Sequence, residues 1–380
     1  MKTRSFLTAR RFEALWFLLV FFAIFGAIGS RMGVPNMLNT LMHTAYSLLI
    51  DTVFYLMAII VLTGALSKLL LEFGVVRLLE LALRWLMKPL FGLPGVAALG
   101  AVLTFLSDNP AIMSLQSDRN FSRYFKKYQL ISLTNFSTAF GMGLVVAVFM
   151  SGLGFARAAF VGMAGAFVGG VVATRLMQRF VLRAHPEFHD EPSVSGGDEQ
   201  KISFKSEERS VFLRVLSACL DGGKTGVELG LTIIPGVLII STFVMMLTFG
   251  PSADGTYTGS AYEGVALLPF LAGKCSAVLQ LLFGFESPEL VAFPVTSLGA
   301  VGAALGLVPR FVADPSIRID DNTIAVFTAM GMCWSGFLST HAAVLDSLGY
   351  RHLLSKDILA QIAGGIVAGV AAHALAYLIC

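Results

Sequence analysis

The sequence predicts an all-α polytopic membrane protein made of two inverted-topology repeats. Each repeat is expected to hold an amphipathic helix and a re-entrant helical hairpin, with about seven full spans in all. Three observations lead there. The 380 residues are 56% hydrophobic and 13% charged, with mean hydropathy +0.77, too apolar for a water-soluble fold. All of the 27 Lys and Arg except Arg31, Arg157, Lys274, Arg310 and Arg318 fall in segments that one orientation places on the same side. Met163–Ala173 also matches Ile362–Ala372 at six of eleven positions, although the charge bias runs those two segments in opposite directions.

Apolar runs near the ~20 residues that a span requires occur at 12–30, 46–70, 129–151, 157–180, 228–249, 323–347 and 357–379. Lys2, Arg4, Arg10 and Arg11 before Leu15–Ile28 have the pattern of a signal peptide, and the reading adopted is an uncleaved first span. The positive-inside rule puts the N-terminus in the cytoplasm and the C-terminus outside. The chain divides into a cytoplasmic tail and first span (1–44), a first repeat (45–182), a cytoplasmic linker (183–210) and a second repeat (211–380). The linker His185–Gln200 is polar, acidic and turn-rich, and is read as solvated loop rather than as a metal site of His185, His189 and Asp190.

Residues 74–90 space Arg77, Glu80, Arg84 and Lys88 on one helical face, as an interfacial helix would. Residues 262–282, with Glu263, Lys274 and Gln280, are the weaker counterpart. The following piece, 92–116, is broken by Ser107-Asp-Asn-Pro110. A single crossing there would put Arg119, Arg123, Lys126 and Lys127 outside, so 92–116 is expected to dip in and return. The segment 285–309 should do the same from the opposite side.

Irregular backbone at membrane depth is tolerated only beside protein or a wet cavity. The break therefore marks Ser107, Asp108 and Asn109 as candidates to bind substrate, with Thr296 and Ser297 as their counterparts. The next span in each half is polar. Thr134, Asn135, Ser137 and Thr138, with Thr328 and Ser335 on the counterpart span, are candidates to bind substrate as well. Asp108, Asp51, Glu228 and His341 are candidates for coupling or gating, because ionisable groups within spans are costly and commonly functional. Gly165-xxx-Gly169 and Gly365-xxx-Gly369 are tight-packing signals. Cys219, Cys275, Cys333 and Cys380 lack CxxC spacing and are read as small apolar residues.

Pro89–Ala98 followed by Asp108-Asn-Pro-Ala-Ile112 resembles the gate domain, or nucleoside-recognition domain. That domain occurs in the membrane part of ferrous iron transport protein B, in spore maturation proteins and in relatives of concentrative nucleoside transporters. The resemblance covers most of 45–380 and is sharp in the first half. The iron transporter's tip reads Gly-Cys-Asn-x-Pro-Ala-Ile. Here Ser107-Asp-Asn-Pro-Ala-Ile112 lacks the cysteine, and oxygen ligands suit hard ions, protons or organic solutes better than soft metals. No GxxxxGK[ST] is present.

The expectation is an inner-membrane secondary transporter or facilitator for a small polar solute or hard ion, with a proton or Na+ as coupling ion. Access would alternate as one repeat rocks against the other. The alternative is a non-transporting scaffold or regulatory partner of spore-maturation type. No enzyme, cofactor, metal site or nucleic-acid partner is expected. The partners are the lipid bilayer and a solute, with a homo-oligomer left open. No HExxH, GxSxG or clustered His/Asp set points to catalysis.

Overall fold

The computed structural model describes residues 2–379 apart from Asn109, Asp118, 194–209 and Ala253. The predicted tip residue Asn109 thus lies outside the described residues. The helices are α1 (Lys2–Met32), α2 (Val34–Glu72), α3 (Val75–Leu86), α4 (Ala97–Leu106), α5 (Pro110–Ser117), α6 (Lys127–Gly152) and α7 (Ala156–Ala184). After the linker come α8 (Val211–Thr248), α9 (Leu267–Gly273), α10 (Ser276–Phe283), α11 (Ala292–Gly299), α12 (Val301–Ala313), α13 (Asp321–Ser347) and α14 (Arg351–Ile379). Seven of them, α1, α2, α6, α7, α8, α13 and α14, are long and apolar enough to cross a membrane.

Two spans are longer than hydropathy alone suggests. Gly33, at φ +79°, ends α1, and Pro35 opens α2 well before residue 46. The second-half partner begins at Val211 instead of 228, with Ser210 Oγ accepting from Leu213 N at 3.4 Å. Asp221 and Lys224 sit on the exposed face of that helix, so they do not stop it. The single amphipathic segment expected over 262–282 is instead a loop and two short helices. Tyr262 and Ala266 take positive φ, and Glu263 is buried as the anchor of the loop, accepting from Ser252, Thr258 and Gly259.

Small residues decide which helices meet. A Cβ on Gly165 would lie 2.7 Å from Ala372 Cβ, and one on Gly364 2.6 Å from Ala173 Cβ. In the register of the matched segments these are one contact viewed from either half. A third, Gly169 against Ala368 Cβ at 2.5 Å, maps onto itself. Helices α7 and α14 therefore run antiparallel with their backbones in contact. Helices α2 and α8 form a second close pair, where a Cβ on Gly64 would sit 2.6 Å from Gly222 O and one on Gly226 2.6 Å from Val61 Cα. Around α7 and α14 pack α6 and α13, whose buried side chains, Phe327 among them, join Phe293 and Phe311 in the main core. By contrast Phe17 and Phe22 on α1 and Leu78, Leu81 and Trp85 on α3 are exposed, the surface a lipid-facing protein presents.

The linker begins packed, not solvated. Phe188 is buried, Lys127 Nζ lies 2.6 Å from Glu191 Oε2, and Lys127 N donates to Glu191 O at 3.0 Å. Of the cysteines, Cys333 is buried as expected, Cys219 is half-buried and Cys275 is exposed.

Candidate functional site: a polar seam between the halves

Each half presents a short helix, a break and a second short helix, none long enough to span. In the first half these are α4 and α5, and Ser107 at the break has φ −130° and ψ −103°. In the second they are α11 and α12, joined through an extended Ala300 at φ −164°. The chain enters each through a left-handed glycine, Gly92 at φ +66° and Gly284 at φ +69°. Before Pro288–Gly299 it bends by 70° relative to α10.

The two polar spans are broken at matching places. Helix α6 is interrupted at 139–142, with Met142 at φ +52°, and α13 at 335–336, with Gly336 at φ +69°. Gly143 lies against Phe105 at the end of α4. Gly336 lies against the end of α11, donating from its N to Ser297 O at 3.2 Å. Broken ends leave backbone groups without intrahelical partners. Here the short helices supply part of what is missing.

Beside these breaks, buried side chains from both halves meet. Asn135 Nδ2 donates to Gln361 Oε1 at 3.1 Å and to Asp357 O at 3.3 Å. Gln361 Nε2 in turn donates to Cys333 O at 2.6 Å, and Trp334 Nε1 donates to Gln361 O at 3.1 Å. His341 Nδ1 is 2.5 Å from Asp357 Oδ2, while its Nε2 is 2.9 Å from Thr138 Oγ1. Gln116, on the second short helix of the first half, donates from Nε2 to Leu130 O at 2.9 Å and Thr134 Oγ1 at 3.2 Å. Among the described residues, five buried atoms here have no protein partner: Asn135 Oδ1, Ser137 Oγ, Thr328 Oγ1, Gln116 Oε1 and Asp357 Oδ1. Such atoms cost free energy unless something polar meets them, and they are donors and acceptors that a polar solute can use.

The seam brings together Thr134, Asn135, Ser137 and Thr138, with His341, from the sequence-derived candidates. Thr328 is buried beside it, against Gly162 of α7. Ser335 occupies the break of α13. Thr296 and Ser297 are buried, but their hydroxyls bond back to Ala292 O at 2.7 Å and Phe293 O at 3.0 Å. Ser107 does the same to Leu103 O at 2.7 Å, and Asp108 is half-buried just after it. Asp51 and Glu228 stand apart on exposed helix faces, Asp51 accepting from Ser47 Oγ at 2.7 Å.

Three seam residues escape the sequence reading: Gln116, Asp357 and Gln361. The i, i+4 pair Asp357 and Gln361, at the start of an otherwise apolar span, is the signal that could have revealed two of them. His341 is also not a lone histidine, and the expectation of no clustered His/Asp set is corrected: Asp357 reaches it because α13 and α14 turn back on each other between residues 347 and 354.

Comparisons with known proteins bear on the fold. Residues 53–155 match the gate family, described as nucleoside recognition. No curated protein matches the sequence. The fold is similar to CNTnw in solved structures. A CNTnw variant in an outward-facing state aligns with TM-score 0.55 at 15% identity, over 85% of this chain and 75% of that one. The inward-facing substrate-bound CNTnw aligns at 0.53 and 14%, over 85% and 74%. A variant in an intermediate state aligns at 0.53 and 15%, over 83% and 75%. At such identities the likeness is one of fold alone.

Proposed function

We propose that the protein is a secondary transporter or facilitator that carries a small polar solute across the inner membrane by alternating access, with its N-terminus cytoplasmic and C-terminus outside. The observation that carries this reading is the sealed seam, where five buried polar atoms without protein partners lie between broken helices from both halves. A scaffold of spore-maturation type would fill that space with apolar side chains, so the seam favours transport. Solved structures of similar fold in outward- and inward-facing states support alternating access. A nucleoside is the first solute to try, given the family match over 53–155, and a hard ion is the next.

In this reading the halves are inverted repeats and 97–117 and 292–313 are the re-entrant hairpins, supported by the self-mapping contacts of α7 with α14. Those contacts also bear on the motion. Glycine packing locks first-half helices to second-half helices, both in α7/α14 and in α2/α8. Rocking of one repeat against the other would break both. Movement of the α6/α7/α13/α14 bundle against the α2/α8 pair breaks neither. Asp108 at the first tip contacts solute or a cation.

Thr138, His341 and Asp357 have the order of a nucleophile–base–carboxylate array, but all are wholly buried, so no catalytic role is proposed. The test is uptake of radiolabelled uridine into proteoliposomes. Asn135→Ala should lower it at least ~10-fold, the scale of one lost buried hydrogen bond of about 1.4 kcal/mol, and Asp108→Asn should also lower it. No selective uptake of any nucleoside, organic acid or ion would leave the scaffold reading in its place.

A further inference from the structure

We infer that the Thr138–His341–Asp357 array is a proton-binding site, and that its occupancy switches one hydroxyl at the break of α6. The inference rests on the transporter reading for its role, but not for the binding itself.

Its basis is the burial and the bonding. His341 and Asp357 are both 0% exposed, and the imidazole is held at each nitrogen. Since Asp357 Oδ2 is 2.5 Å from Nδ1, that nitrogen carries the hydrogen whenever the carboxylate is ionised. With a neutral ring, Nε2 accepts from the Thr138 hydroxyl and the array holds one net negative charge. One added proton makes the array neutral. A buried net charge is costly unless compensated. Asp357 lies in the first turn of the α-helical part of α14, where the helix dipole favours negative charge and moderates that cost.

The neighbouring charges do not do the compensating. On the packed helices, Lys127 pairs with Glu191, Arg175 donates to Leu90 O, Asp346 pairs with Arg351, His352 with His185 and His373 with Asn322. Arg157 donates to Ile379 O, Cys333 to Ala166 O, and Tyr128 stacks on His189. Arg179, Arg183 and Tyr377 are exposed, while Asp321 and Lys356 lie half-buried near helix starts. No titratable side chain lies on α11 or on the second segment of α6. Among the described residues, His341 forms its ion pair with Asp357 alone.

The consequence falls on Thr138, the last residue before the break in α6. With a neutral ring its O–H is committed to Nε2. A protonated ring donates from Nε2 instead, so Thr138 Oγ1 accepts and its own hydrogen is released. The released donor sits in the same turn as Ser137 Oγ and Asn135 Oδ1, which have no protein partner. Proton loading thus changes the donor count offered to a solute in the seam.

The experiment uses the full chain in lipid nanodiscs, labelled with 15N-histidine and titrated between about pH 5 and pH 9. One ring signal, absent from His341→Asn, should convert from imidazole to imidazolium, and Thr138→Val should shift that same signal by removing its Nε2 partner. In Asp357→Asn the ring should stay neutral throughout, with the thermal melt showing the variant folded. A His341 signal that keeps one form over the range overturns the proposal, as does an Asp357→Asn variant that titrates like the parent. No solute or gradient is present, so a titrating protein that transports nothing would sink the transporter reading alone. Conversely, uridine uptake stimulated by an inward pH gradient to the same extent in His341→Asn overturns the switch and leaves that reading standing.

Discussion

The two elbows that lead into the short helices have the same backbone and different locks. At Gly92 the carbonyls of Pro89 and Leu90 accept from Arg175 at 2.7 Å each, Phe91 O from Gln178 at 2.9 Å and Gly92 O from Gln129 at 2.8 Å. At Gly284 the Phe283 carbonyl accepts from Asn322 Nδ2 at 3.0 Å, and His373 Nδ1 bonds Asn322 Oδ1 at 2.7 Å. Because that amide already donates through Nδ2, its Oδ1 is the acceptor and His373 Nδ1 the donor. Both elbows need donors, since a helix ending in a left-handed glycine leaves carbonyls open. The first half meets the need with a permanent cation and two glutamines, the second with a neutral amide steadied by a histidine. His373 also lines a cleft of about 530 Å³ with Glu286, Asp320 and Asp321. Backbone geometry is shared; the chemistry that secures it is local.

The biggest change should come at the contact between the two matched segments, Gly169 against Ala368. Gly169→Leu should force α7 from α14 and cost on the order of 3 kcal/mol through overpacking, read as a large fall in Tm in detergent. A Tm unchanged within error would show that α7 and α14 do not meet there, and would remove the support for the proposed repeat. Next come the elbows. Arg175→Ala should destabilise by about 2 kcal/mol, the loss of charged donors to carbonyls, and His373→Ala by about 1 kcal/mol, one neutral hydrogen bond. Equal losses, or the reverse order by the same melts, would show that the two locks are not different in kind.

The smallest effect belongs to the loop 251–266, which the first half lacks. Glu263 is 4% exposed. Burial raises its pKa, but bonds from Ser252, Thr258 and Gly259 outweigh that and bring it below the ordinary 4.5. A depressed carboxylate stabilises above its unfolded pKa, and that contribution is lost as pH falls through the folded value. Amide protection at Thr258 and Gly259, corrected for intrinsic exchange, should hold above pH 4.5 and fade below it. Glu263→Gln should flatten that profile. A parent profile that is already flat would mean the backbone, not the carboxylate, orders the loop.

Much of this architecture is written locally along the chain. Seven spans, the break at Ser107–Pro110, the oxygen-rich turn Thr134–Thr138 and the small-residue segments of α7 and α14 follow from hydropathy, proline chemistry and spacing. Each needs only neighbours within a few turns. What no local pattern states is which buried polar groups face each other. Thr138 meets His341 across 203 residues, and Asn135 meets Gln361 across 226. Those meetings are set by how far each helix is rotated and where glycine lets backbones close, both properties of the packed bundle. For the same reason the amides of Gln116 and Gln361 read as ordinary polar residues until three helices surround them. Asp51 and Glu228 turn out on exposed faces for that reason too. Length, hydrophobicity and helix breaks are properties of a segment, so the chain carries them openly. The histidine–carboxylate pair exists only where two segments have been brought together, because burial and hydrogen-bond direction are decided by the neighbours that folding supplies.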